Sequence, residues 1–148
     1  MTKVFIASDH AGFDLKTFLI KNVAEKTKIE FVDLGPDTDA SVDYPEFAAR
    51  VAEKVGKGEG LGVLVCGSGI GMAITANKLN GVRAANVWDA TSARLSREHN
   101  NANIVCLGSR LVGREVALDA VVEWLKATFQ GGRHQKRIDL ITSMEKKK

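Results

Sequence analysis

Short apolar, β-branched runs alternate along this chain with longer stretches of helical periodicity, and no other feature limits its fold as tightly. Residues 3–7 (KVFIA) read as a strand, and residues 14–26 as a helix with Leu15, Phe18, Leu19 and Val23 on one stripe. Residues 29–34 (IEFVDL) form a second strand, closed by the turn residues Gly35, Pro36 and Asp37. Asp43-Tyr44-Pro45 starts a helix, with Asp43 near the cap and Pro45 in the first turn, where a missing N–H costs nothing. That helix carries Phe47, Ala48, Val51 and Val55 and ends at Gly56 and Gly58. Residues 61–66 (LGVLVC) are apolar on both faces, as a central parallel strand is. A glycine-rich turn and a helix to about Lys78 follow, then a strand over 82–87, a helix over 91–98 and a strand over 104–107. A helix over 115–128 bears Val116, Val121, Trp124 and Leu125; beyond Gly131-Gly132, a polar helix over about 134–144 has Ile138 and Ile141 as its apolar contacts. Strands joined by crossover helices specify an α/β fold: a three-layer α/β/α sandwich with a five-stranded parallel sheet, Rossmann-like, plus a C-terminal helix.

The chain of 148 residues, 45% hydrophobic and 26% charged, is the size of one domain, spanning 1–148. Its 21 Lys and Arg against 18 Asp and Glu leave +3, which the three lysines of a tail over about 145–148 supply. The body is neutral and lacks the basic stripe of a nucleic-acid binder. Cys66 and Cys106 stand far apart with no CxxC pair, so neither a zinc site nor a disulfide framework is indicated. Residues 60–77 carry no charge, yet Gly67, Ser68, Gly69 and Gly71 interrupt them, which argues against a membrane helix. The amino-terminal apolar run is too short for a signal peptide, and the chain reads as cytoplasmic.

Ligands of parallel α/β folds sit beyond the C-terminal ends of the strands. Polar and glycine clusters fall there four times: Ser8-Asp9-His10, Cys66 to Gly71, Trp88-Asp89, and Gly108-Ser109-Arg110. The GSGIGM segment lacks the Walker spacing and the G-x-G-x-x-G dinucleotide fingerprint. It reads either as an anion-cradling loop, its amides backed by a helix N-terminus, or as a tight strand–helix turn. Cys66 ends the strand at this loop, where amides stabilise a thiolate that can serve as base or nucleophile; a small core residue is the alternative. Cys106, in mid-strand, reads as core. His10 is a solvated turn residue or a ligand contact. His99 is a helix C-cap or a general acid or base with Asn100 beside it. Arg133 and Arg137 stand i, i+4 on a charged helix face that is either simply solvated or a phosphate clamp.

Seven stretches carry a wider resemblance: SDHAGF (8–13), SVDYP (41–45), CGSGIGM (66–72), NKLNGVRAA (77–85), ARLSREHNNAN (93–103), LGSRLVG (107–113) and GGRHQKRI (131–138). In order and spacing they resemble the type B ribose-5-phosphate isomerases, a family that also holds the galactose-6-phosphate isomerase subunits. The resemblance implies interconversion of D-ribose 5-phosphate and D-ribulose 5-phosphate through an enediolate, with no cofactor and no metal. It assigns the base to Cys66, proton shuttling between the sugar oxygens to Ser68, and ring opening to His99. It implies that the amides from Gly67 through Gly69 and Ile70 to Gly71 stabilise the enediolate. Asp9, His10 and Asn100 would hold hydroxyls or phosphate, and Arg133, Arg137 and Arg110 would bind the phosphate. A homodimer, or a dimer of dimers, would share each site across its interface. Some relatives use a glutamate soon after the glycine loop; Cys66 and the apolar Met72 put this chain in the cysteine branch. Where many members carry a Cys-His-Asp-like triplet, this chain has Val87-Trp88-Asp89, which bears on sugar preference.

Three alternatives stay open at this level: a hexose 6-phosphate (galactose or allose) or a free aldose as substrate, a non-catalytic phosphosugar-binding module, and a flavodoxin-like domain. The last would need an acidic phosphoacceptor or a Ser/Thr-rich flavin loop. Galactose-6-phosphate isomerase divides its site between two unlike subunits, whereas this chain holds Cys66, His99, Arg133 and Arg137 together.

Overall fold

The computed structural model describes residues 2–146; Lys147 and Lys148, the end of the lysine-rich tail, lie outside the described residues. Strands β1 (Val4–Ser8), β2 (Phe31–Asp33), β3 (Leu61–Cys66), β4 (Ala84–Asn86) and β5 (Ile104–Gly108) form one all-parallel sheet in the order β2-β1-β3-β5-β4. Among the described residues the helices are α1 (Phe13–Thr27), α2 (Tyr44–Gly56), α3 (Ile70–Ala76), α4 (Ala90–Asn100), α5 (Arg114–Lys126) and α6 (Arg133–Ser143). None is long and apolar enough to cross a membrane.

Successive side chains of a strand point to opposite faces, so each central strand feeds two cores. Val63, Val65, Val105 and Leu107 pack with Leu15 and Leu19 of α1, Ala93 of α4 and Val121 and Trp124 of α5. Leu64, Cys66 and Cys106 pack on the other face with Phe47 and Val51 of α2 and Met72 and Ala76 of α3. The three layers are therefore α1/α4/α5, sheet, and α2/α3, as the strand–helix alternation indicates.

The edge strands are shorter than their apolar runs. At the start of β4, the edge strand, Asn77 bonds both backbone groups of Ala84, and Asn103 Oδ1 accepts from the Arg83 N–H, so side chains supplement the backbone bonds between Arg83 and the start of β5. Two further expectations are corrected. Val116 is exposed, because α5 turns Ala117, Ala120, Val121 and Trp124 inward. Ile141 is exposed as well: α6 meets the body through His134 and Ile138, and Ile141 borders an open groove.

From β1 the chain passes to β2 on one side, then returns to place β3 on the other. That reversal opens a crevice at the C-terminal ends of β1 and β3, the position at which such sheets bind ligands.

Candidate active site

The loop between β3 and α3 forms the floor of that crevice. Gly69 adopts φ 79°, a left-handed conformation natural to glycine, and turns its N–H back onto Cys66 Sγ at 3.1 Å. Cys66 is thus a buried thiol held by a backbone donor at the mouth of a loop. Ser68 Oγ accepts from the Ile70 N–H at 3.2 Å. The amides of Gly67, Ser68 and Gly71 have no protein acceptor among the described residues, and they are available to a developing oxyanion. Cys106 is fully buried one strand away; burial first, then the Cys66 sulfur, pushes its thiol far above the usual range, so it stays protonated core.

Neighbouring segments lock this loop. The Ser109 N–H donates to Cys66 O at 2.8 Å and the Arg110 N–H to Gly67 O at 2.9 Å, while the Arg110 guanidinium lies over Gly67. Ser109 Oγ reaches across to Ala11 O at 2.7 Å, which joins the β5 loop to the β1 loop. Asp9 is buried at the end of β1; its N–H donates to Val65 O at 3.2 Å and its Oδ1 accepts from Gly12 N–H at 3.0 Å. His10 is exposed, and its Nδ1 accepts from the Val42 N–H at 3.2 Å, which leaves the proton of the neutral ring on Nε2.

A pocket of about 480 Å³ opens above the loop, lined by Asp9, Cys66, Gly67, Ser68, Ile70, Gly71 and Arg110. Tyr44, Ile74 and Leu111 line it too. In the sequence Tyr44 reads only as part of a helix start. Its ring stacks so closely on Gly71 that any side chain there would strike it. Gly69 lies beneath the pocket rather than in its wall.

The other expected residues stand elsewhere in the chain. Helix α4 runs back against β5, so His99 and Asn100 at its end fall near the start of the sheet, where Asn103 O meets the Gly62 N–H. The six-residue β3, roughly 17 Å long at ~3.3 Å per residue, separates them from the Cys66 loop. Asn100 lines a separate groove of about 550 Å³ with Ala84, Ala85, Ile141 and Met144. Arg133 and Arg137 are exposed on α6 beside α4. Trp88 is exposed at the end of β4 outside the pocket wall, and Asp89 caps α4 by accepting from the Ser92 N–H at 2.7 Å. That bond with Ser92 holds the Asp89 carboxyl below the usual carboxylate range.

The model of the Ribose/Galactose Isomerase family matches residues 4–141. The chain is similar to the ribose-5-phosphate isomerase B of Escherichia coli, with 42% identity over the whole of this chain and 99% of that one. It is 47% identical to a putative sugar phosphate isomerase of Bacillus subtilis, with 98% of each chain covered. Among solved structures, ribose-5-phosphate isomerase B of Mycoplasma genitalium with bound ribulose-5-phosphate superposes with TM-score 0.90 at 47% identity, covering 95% of this chain and 94% of that one. The type B enzyme of Trypanosoma brucei superposes with TM-score 0.93 at 42% identity, covering 98% and 100%. By sequence, fold and the cysteine-ended glycine loop alike, this chain belongs to the Ribose/Galactose Isomerase family.

Proposed function

We propose that the protein is an aldose–ketose isomerase that interconverts D-ribose 5-phosphate and D-ribulose 5-phosphate. The observation that carries the reading is the Cys66 loop: a thiol at the mouth of a pocket, ringed by amides with no protein acceptor. The Cys66 thiolate takes the proton from C2 of the open aldose, and the electron pair moves onto the C1 carbonyl oxygen. The amides of Gly67, Ser68 and Gly71 stabilise the resulting enediolate. Ser68 carries a proton between O1 and O2, and Cys66 returns its proton to C1, which yields the ketose. Every proton taken is returned.

Within one chain this site lacks an acid for opening the furanose ring and a full phosphate clamp, since His99, Asn100, Arg133 and Arg137 stand at the other end of the sheet. The pocket rim is apolar and open, with Ile70, Ile74 and Leu111 each about half exposed or more. A second copy covering that rim would bring its own His99, Asn100, Arg133 and Arg137 to the sugar phosphate, so the working unit is a homodimer with two shared sites. Asp9, His10 and Arg110 act from the Cys66 side, on hydroxyls and phosphate. Two unpaired cysteines suit a reducing cytoplasm.

The test is the isomerisation rate of the purified protein on ribose 5-phosphate, galactose 6-phosphate, allose 6-phosphate and free ribose. Turnover confined to ribose 5-phosphate is the expected result. Activity on a hexose phosphate instead would move the substrate and direct attention to Trp88. Silence on all four would leave only a binding module.

A further inference from the structure

His134 is 94% buried by its 6% residual exposure, and its Nε2 is buried without a hydrogen-bond partner. Its ring lies against that of His99, with centroids 4.5 Å apart and planes inclined by 13°. This stack, together with Ile138, is how α6 meets the body. An imidazole whose Nε2 is buried without a partner while its ring faces another imidazole is an uncommon use of a polar group, since burying an unpaired nitrogen is unfavourable. We propose that His134 is a positioning residue for His99, holding that ring flat and aimed for its work on the cyclic sugar. The proposal rests on the reading above that His99 opens the furanose ring.

The charges around the pair support it. Arg133 and Arg137 flank His134 on α6, and on α4 Glu98 is already engaged by Arg94 at 2.8 Å and Gln130 at 3.4 Å. Among the described residues no carboxylate forms an ion pair with His134. Burial, then Arg133, His99 and Arg137, hold it below the ordinary histidine range. A ring kept neutral offers a flat polarisable face to its neighbour and does not repel a protonated His99. Any planar uncharged ring should serve as well, whereas an aliphatic side chain of similar bulk should not.

The experiment compares His134→Phe, His134→Leu, His99→Asn and the His99→Asn/His134→Leu double variant. Two readouts are followed by NMR. One is conversion of ribose 5-phosphate, which is mostly furanose in solution. The other is wash-in of solvent deuterium at C1 of ribulose 5-phosphate, which has no ring to open. We expect His134→Phe within about threefold of wild type, and His134→Leu to lose about tenfold or more in kcat on ribose 5-phosphate with KM unchanged. Deuterium wash-in should persist in both, and the double variant should be no slower than His99→Asn, because residues acting through one group do not add. Equal losses in the Phe and Leu variants, a change in KM rather than kcat, or additive losses in the double variant would each overturn the proposal. If wild type converts the sugar but His99→Asn converts it equally well, the assignment of His99 itself fails, and His134 falls with it.

Discussion

Gly108 ends β5 directly beneath the Cys66 loop. A Cβ placed on it would stand 2.6 Å from the carbonyl carbon and oxygen of Ser68 and 2.7 Å from its Cα. These are backbone atoms, so no side chain can swing aside. Restoring ordinary contact near 3.4 Å requires the loop to retreat by roughly 0.8 Å, and misplacement on the order of 1 Å costs ~10²-fold in rate. That corresponds to about 2.7 kcal/mol of transition-state stabilisation. The overpacking itself should destabilise the fold by about 1–3 kcal/mol, small enough to leave it folded. Gly108→Ala is therefore expected to stay folded and to lose about 100-fold in kcat on ribose 5-phosphate, with less effect on KM. Gly113→Ala is the control: nothing lies within 4 Å of its added methyl group, and it should match wild type in rate and Tm. A Gly108→Ala enzyme within twofold of wild type would refute the idea that the Ser68 backbone must sit where it does.

Three more expectations follow from the same geometry. Lys16 is buried to 1% exposure, with Nζ 2.9 Å from Asp33 Oδ1 and 2.6 Å from Pro36 O; Lys16→Met keeps its length but removes the donor to Pro36 O and leaves Asp33 with only the Gly35 N–H. Because Asp33 is partly solvated, the loss should be about 2 kcal/mol, or roughly 6 °C in Tm, with no change in KM; an unchanged Tm would contradict this. Arg137→Ala should raise KM for phosphorylated sugars by about tenfold or more with little change in kcat, as removal of a charged hydrogen bond does, and an unchanged KM would take Arg137 out of the phosphate site. The depressed pKa of His134 means that the unfolded chain binds its proton more readily than the folded one. Its contribution to stability is present above the unfolded value near ~6.5 and is lost as pH falls through that value toward the folded one. Urea midpoints between about pH 7 and pH 5 should fall less steeply in His134→Phe than in wild type, and parallel slopes would contradict it.

The sheet was legible because period and composition agree in its central strands: LGVLVC is apolar on both faces and is flanked by helices on both. Its edges were harder to read, since Asn77 and Asn103 hold the start of β4 through bonds between residues 7 and 20 positions apart, which no local pattern shows. The Cys66 loop was legible for the same local reason, as strand, glycines and helix are contiguous. Tyr44 was not, because its place against Gly71 depends on how α2 packs on α3. Nor could strand-end logic place His99 and Asn100: a crossover helix returns its C-terminus to the far end of the sheet, so residues that share one chemistry by resemblance lie about a strand's length apart in a single chain. The pairing of His99 with His134 is a tertiary contact between α4 and α6 that joins two stretches read separately along the sequence.

The central claim is that Cys66 moves the proton. Its most direct test is Cys66→Ala, measured for conversion of ribose 5-phosphate and for deuterium wash-in at C1 of ribulose 5-phosphate, alongside Tm and binding of inorganic phosphate. If Cys66 is the base, both rates fall together by about 10²–10⁴-fold, the range of a lost general base, while Tm and phosphate binding stay close to wild type. Substantial wash-in surviving without the thiol would contradict it and give the proton to another group.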